Sequence, residues 1–398
     1  MNIKKFKPYL PFIVFAAALL AAVFAIEKIN GRFWLNDFKV YYSAAQALID
    51  GNPVYGISFG LDTGFYKYSP FVAMLFVPYT FFSYETAAII HFIILSGVTI
   101  LTIIISGRLI NRYFSPVKIK TENLLLSLAL LCIVLHLVRE LHLGNINMLL
   151  LFLAMAGLVL SLQSKDILSG IFIGLAIIIK PYFLVLILPF VATGKWRVIM
   201  SIALTGIFSF LIPMLFLGYN QNILLYQGWI HAMREHSNYL SSHHTIPSLL
   251  HYYFGMQTGT WFTYFLIALV CTVYFFLYFF LNRKNESPSQ FLFVTGYFCL
   301  LAIVPNIVIT DTEHFLLSLP LIVILLRYVA EKKNLLLIAA FILLIFFYEG
   351  NSTDLLGKNL SQRFEEMGLL GSSNLIIVAS VLLLVFRVTN KSLQAKED

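Results

Sequence analysis

Gly170-Ile171-Phe172-Ile173-Gly174-Leu175-Ala176-Ile177-Ile178-Ile179-Lys180-Pro181-Tyr182 reads as an apolar helix that stops on a lysine and a proline. Nothing charged precedes Lys180 in this run, which suits a hydrocarbon surrounding. Pro181 should end the helix, because proline lacks an N–H and its ring clashes with the preceding turn. An ammonium in hydrocarbon costs about 2.5–3.5 kcal/mol at mid-depth. Two readings follow: Lys180 snorkels to the outer surface, or it lines a cavity and offers its charge to an anionic phosphate. Broken helices at membrane depth are tolerated where they line such a cavity.

The remaining chain is of the same kind. Of its 398 residues, 60% are hydrophobic and 12% charged, about half the charged share of a soluble domain. The apolar runs predict an all-α integral membrane protein of about twelve transmembrane helices. They lie at 9–26, 84–107, 123–139, 147–163, 167–180, 181–193, 197–217, 260–281, 290–309, 315–330, 334–348 and 372–388. The run 68–82 is short and bracketed by Pro70 and Pro78, and reads as a re-entrant or interfacial segment. One polytopic domain over 1–390, with a cytoplasmic tail at 391–398, accounts for the chain without repeats or linkers.

Charge sets the orientation. With the N-terminus inside, 18 of the 27 lysines and arginines fall in inner loops, as the positive-inside rule demands. Counting 68–82 as a span would put the basic 108–120 loop outside. The net charge of +8 therefore reads as attraction to an anionic inner leaflet, with membrane lipids and no nucleic acid as partners. Cys132, Cys271 and Cys299 all lie in apolar runs and make no CxxC pair. The outer loops 27–67, 218–259 and 349–371 are long and aromatic, so the functional face should be the outer one.

Candidate residues gather on that face. Val40, Ala44 and Leu48, with Tyr41, predict an amphipathic interfacial helix over 39–50 in the first outer loop. Asn36 and Asp37 stand where its N-cap belongs, so Asp37 is a cap or a free carboxylate aimed at a substrate. Tyr66, Lys67 and Tyr68 are interfacial anchors or a groove for a lipid or sugar. Arg139 and Glu140 are a solvated flank or part of a site. Asn145 and Asn147, after Gly144, suit hydrogen bonds to sugar hydroxyls or a phosphate. Asp311, Glu313 and His314 could supply a base, a proton donor or a metal ligand. The histidines 231, 236, 243, 244 and 251 match no compact zinc spacing, so no metal and no cofactor is expected. There is no Walker loop, dinucleotide fingerprint or Ser-His-Asp signature with its context.

Several short stretches, in order, resemble the polyprenol-phosphate-mannose-dependent mannosyltransferases, glycosyltransferase family 87 of the GT-C superfamily. They are Asp37-Phe38 with Tyr41-Tyr42, Gly51-Asn52-Pro53-Val54-Tyr55, Tyr68-Ser69-Pro70 with Val77-Pro78, Gly144-Asn145-Ile146-Asn147, Gly174-Leu175-Ala176 through Lys180-Pro181-Tyr182, Gly194-Lys195-Trp196-Arg197, and His314 ahead of Leu319-Pro320. The family commonly has paired prolines where this chain has Ser69-Pro70, and glutamine where it has Asn145. The resemblance implies a GT-C-like fold in the cell membrane with an outer-facing site. It also implies a polyprenyl-phosphate sugar donor, with mannose as the sugar, and a glycan or glycolipid acceptor. Asp37 would be the general base of an inverting transfer. Lys180, His314 and Arg139, in that order, would bind the donor phosphate, and Tyr41, Tyr68, Asn145, Asn147 and Glu313 the sugar or acceptor. The alternatives are a GT-C transferase using another lipid-linked sugar, or a lipid or glycan transporter or flippase. A transporter would favour two similar halves around a midplane site, and the sequence has no such halves.

Cysteine labelling of intact cells tests the orientation. Lys118→Cys should be protected from an impermeant reagent and a cysteine in 27–67 should react; external labelling at Lys118→Cys would invert the topology.

Overall fold

The computed structural model describes residues 6–60, 64–114, 121–236, 243–283, 289–350 and 352–397. The basic tip 115–120 and residues 237–242 of the histidine-bearing loop lie outside them. The described chain is all-helical. In chain order come α1 (Leu10–Ile29), α2 (Asn36–Ile49), α3 (Pro70–Phe76), α4 (Tyr84–Tyr113), α5 (Glu122–Leu131) and α6 (Val134–Leu143). These are followed by α7 (Asn147–Leu162), α8 (Asp166–Ile179), α9 (Ile187–Ala192), α10 (Trp196–Leu217), α11 (Tyr219–His236) and α12 (Ile246–Phe254). The last six are α13 (Thr260–Asn282), α14 (Gln290–Ile307), α15 (Leu319–Lys332), α16 (Leu335–Glu349), α17 (Thr353–Glu366) and α18 (Leu369–Glu397). α18 runs on past 390, through the segment expected as a tail.

Among the described residues, seven helices are long and apolar enough to cross a membrane, or eight if one bent pair is a single span. The bent pair is α5 and α6, expected as one helix over 123–139 and instead turned by 61° at Cys132-Ile133. The other four expected spans are helical but short: α7, α8, Pro181–Ala192 and α16 have 10–17 residues each. At 1.5 Å per residue these fall short of a hydrocarbon core about 30 Å thick. The expectation of twelve spans thus counts apolar stretches, four of which are too short to cross alone. The 68–82 run is indeed a short broken element, α3 followed by a 3₁₀ turn at Val77–Phe81.

Each break has a local cause. Lys180 is held extended (φ −134°, ψ 105°) between the end of α8 and a 3₁₀ helix at Pro181–Leu186, as steric clash with a following proline requires. At the α5–α6 bend, the buried Glu349 of α16 accepts the Leu135 backbone N–H at 2.6 Å, and His136 Nε2 donates to the Tyr348 carbonyl at 3.0 Å. That carboxylate meets an orphan amide at the N-terminus of α6. After α14 the chain passes through a buried 3₁₀ helix, Thr312–Ser318, into α15.

α14 and the 312–332 segment are the most enclosed of the long helices, whereas α1 and α13 are peripheral. The tightest seam joins α8 to α10. A Cβ on Gly170 would stand 2.4 Å from Ser201 Cβ and 2.6 Å from the Val198 carbonyl oxygen. Ser201 Oγ also donates to the Ile167 carbonyl at 2.7 Å. Small residues allow such close approach of membrane helices. Gly170→Val should therefore destabilise the detergent-solubilised protein by about 1–3 kcal/mol or more through overpacking. Gly97→Ala, at a helical position with open space, should be neutral or stabilising by up to about 1 kcal/mol. Thermal unfolding of the two variants makes the comparison.

Candidate active site

The start of α2 is fixed by two interlocked left-handed residues. The N-cap of α2 is Leu35, at φ 41° and ψ 61°, with no side-chain cap. The cap thus lies one residue before Asn36 and two before Asp37, where the sequence places it, and both residues belong to the first turn instead. A buried leucine at positive φ is strained, at an order of 1–3 kcal/mol, and needs packing to hold it. Gly144, at φ 66°, ends α6 against it: a Cβ there would lie 3.0 Å from Leu35 Cβ and 2.8 Å from Phe38 Cβ. His91 of α4 completes the clasp. Its Nε2 donates to the Gly144 carbonyl at 3.0 Å, its Nδ1 accepts from Tyr79 at 3.3 Å, and its ring stacks on Phe38 at 4.3 Å. α2 is therefore packed into the protein, its Val40, Tyr41, Ala44 and Leu48 face buried, rather than lying free in an interface.

This arrangement puts Asp37 on the wall of a cavity of about 460 Å³. Asp37, Tyr41, Tyr68, Arg139, Asn145, Lys180, Glu313 and His314 all line it. Eight of the nine residues to which the family resemblance gives a role therefore meet around one space. The ninth, Asn147, is buried behind the wall. Its Oδ1 accepts from Lys180 Nζ at 2.6 Å and its Nδ2 donates to Glu140 at 2.8 Å. Lys180 also donates to His314 Nε2 at 2.8 Å, and His314 Nδ1 donates to the Asp311 carbonyl at 3.1 Å. This pattern makes His314 a neutral ring with its proton on Nδ1. Arg139 Nε pairs with the fully buried Glu313. Tyr41 Oη lies 3.3 Å from Tyr68 Oη and donates to Asn145 Oδ1 at 3.4 Å, a row of hydroxyl and amide groups facing the same space.

Lys67, Asp311, Tyr182 and Trp229 also line the cavity; of these the sequence offers Asp311 as a base, proton donor or metal ligand and Lys67 as an anchor or groove residue, without giving either a fixed role. Lys67 reads from the sequence as an interfacial anchor or part of a groove for a lipid or sugar, and its carbonyl accepts from Trp229 Nε1 at 3.0 Å. Trp229 carried no sequence signal; only the return of α11 over the cavity reveals it. Glu140, read as a possible solvated flank, is completely buried.

Burial, with Glu313 and Asp311 close by, pushes the Asp37 carboxyl up to about 6, while Lys67 and Lys180 pull it back. Burial draws Lys67 below the usual lysine range, against the pull of Asp311 and Asp37. A carboxylate poised near neutrality suits proton abstraction. Asp311, Glu313 and His314 can bring one ligand atom each within 4.8 Å of one another, the one such group among the described residues. Arg139 and Lys180 already engage two of the three. Adjacent positive charges fit this trio poorly to a metal ion.

Residues 65–305 match glycosyltransferase family 87. The match takes in Tyr68, Arg139, Asn145, Asn147 and Lys180, while Asp37, Tyr41, Glu313 and His314 lie outside it. Over 257 residues the chain is 30% identical to the alpha-(1->3)-arabinofuranosyltransferase of Corynebacterium glutamicum. That alignment covers 63% of this chain and 58% of the relative, so the chain matches little more than half of the relative's length.

A raised carboxyl pKa has a stability signature. The folded value of about 6 exceeds the unfolded value of about 3.9, so ionising Asp37 weakens the fold as pH rises through that window. Asp37→Asn escapes this penalty. It should match wild type near pH 4 and gain about 1–3 kcal/mol by pH 7.5; a variant less stable than wild type at pH 7.5 would contradict the electrostatics.

Proposed function

The chain belongs to glycosyltransferase family 87, and on that premise we propose that it moves a sugar from a polyprenyl-phosphate carrier to a glycan or glycolipid hydroxyl. The observation that carries the reading is the cavity in which Asp37 faces Lys180, His314 and Arg139. In this mechanism the acceptor oxygen attacks the anomeric carbon, and the bond from that carbon to the phosphate oxygen breaks. The acceptor proton passes to Asp37, which is general base catalysis. The negative charge that develops on the departing polyprenyl phosphate meets Lys180 first, with Arg139 beside it; His314, its two nitrogens engaged by Lys180 and the Asp311 carbonyl, acts through the lysine. Preorganised groups of this kind are worth about 2.7–4 kcal/mol each in the transition state.

Tyr41, Tyr68 and Asn145 line the wall where the transferred sugar and the acceptor would sit. Attack opposite the leaving phosphate inverts the anomeric centre. The charge pattern of the loops supports an outer-facing cavity, with both termini in the cytoplasm and the protein in the cell membrane. Mannose is the sugar that the sequence motifs suggest. A pentofuranose is the second reading, favoured by the arabinofuranosyl transfer for which the matched relative is named.

Purified protein in lipid nanodiscs, given a lipid-linked glycan extract, separates these readings. Polyprenyl-phosphate mannose and polyprenyl-phosphate arabinofuranose are supplied in turn, and release of polyprenyl phosphate is followed by mass spectrometry. One donor should be consumed, and Asp37→Asn should lower the rate by about 10²–10⁴-fold with a thermal midpoint no lower than that of wild type. Consumption of neither donor, or full activity in Asp37→Asn, would refute the reading.

A further inference from the structure

We propose that Glu140 is a positioning residue that holds Lys180 on the donor phosphate by fixing the orientation of Asn147. The inference rests on the phosphate-binding reading of Lys180 and extends it to a residue that never touches the cavity. Glu140 and Asn147 are both completely or almost completely buried, and Lys180 nearly so. Glu140 Oε1 accepts the Met148 N–H at 2.9 Å and Oε2 accepts Asn147 Nδ2 at 2.8 Å. An ionised carboxylate only accepts, so it forces the amide nitrogen of Asn147 inward. The amide oxygen must then point the other way, where Lys180 Nζ meets it at 2.6 Å.

The chain of bonds continues from Lys180 to His314 Nε2 and from His314 Nδ1 to the Asp311 carbonyl. Every link has its direction set by the one before it. Glutamine at position 140 would reverse that order without changing the volume. Its single side-chain oxygen would serve the Met148 N–H, leaving an NH₂ against Asn147. Asn147 would turn its oxygen inward and present NH₂ to the ammonium, donor against donor. Lys180 would also lose the nearest buried negative charge behind it. The ammonium would remain in place by chain connectivity but without a fixed direction, and a phosphate oxygen could no longer meet it in one geometry.

Binding of polyprenyl phosphate alone tests this without knowing the sugar. Dissociation constants are measured in nanodiscs for wild type, Glu140→Gln, Lys180→Ala and the double variant, with thermal midpoints for each. Glu140→Gln should weaken binding by about 10–100-fold, by analogy with the loss when a partner that orients a metal ligand is removed. The double variant should bind no more than about twofold worse than Lys180→Ala, because a residue acting only through Lys180 adds nothing once Lys180 is gone. Multiplied losses in the double variant, or unchanged binding in Glu140→Gln, would overturn the inference alone. Unchanged binding in Lys180→Ala would overturn the phosphate-binding reading with it. Should Glu140→Gln fail to fold, Asn147→Leu removes the same link and enters the same cycle, with the same pattern expected.

Discussion

The ammonium of Lys180 is the constraint around which the interior is arranged. A buried cation is tolerated only when hydrogen-bonded and compensated. Lys180 is compensated by elements far apart in the chain: Asn147 at the start of α7, His314 in the 3₁₀ helix before α15, and Glu140 in α6 at one remove. The proline after it breaks α8 and leaves the lysine extended at the break. At the end of α6, Arg139 faces the cavity while Glu140 faces the interior. Removing any one of these would strand a buried polar group, which costs about 1–3 kcal/mol and more when charged.

On the opposite wall, geometry is fixed by packing rather than by charge. Leu35 and Gly144 each adopt a left-handed backbone, and Leu35 occupies space that a side chain on Gly144 would need. His91 locks the pair by bonding the Gly144 carbonyl and stacking on Phe38. Asp37, two residues beyond Leu35, inherits its position from this clasp. Strain held by surrounding structure is a recurring feature of sites where a side chain must be aimed.

The cavity also mixes signs of charge in a way that neither wall explains alone. Asp37, Asp311 and Glu313 share it with Lys67, Arg139 and Lys180. Arg139 Nε pairs with Glu313, which offsets part of the charge of one acid beside the carboxyl of Asp37. Burial and the neighbouring acids raise Asp37 while the lysines restrain it. The balance leaves Asp37 able to exchange a proton near neutral pH, which an isolated surface aspartate is not.

Composition and periodicity by themselves determined the all-helical membrane class, the short 68–82 element and the break at Lys180-Pro181, because each depends on neighbours within a turn or two. Order and spacing of short motifs brought out the family and eight residues that line the cavity. Local pattern misplaced the α2 cap, because the left-handed Leu35 is held by Gly144 and Tyr84, whose hydroxyl donates to its carbonyl at 3.3 Å. It also took Glu140 for a possible solvated flank, since nothing in Arg139-Glu140-Leu141 says which way the second residue faces. Only the tertiary structure joined Arg139 to Glu313 across 174 positions and Lys180 to His314 across 134. Such partners are chosen by which buried polar groups can satisfy one another once the helices have packed, and that choice leaves no trace in local periodicity.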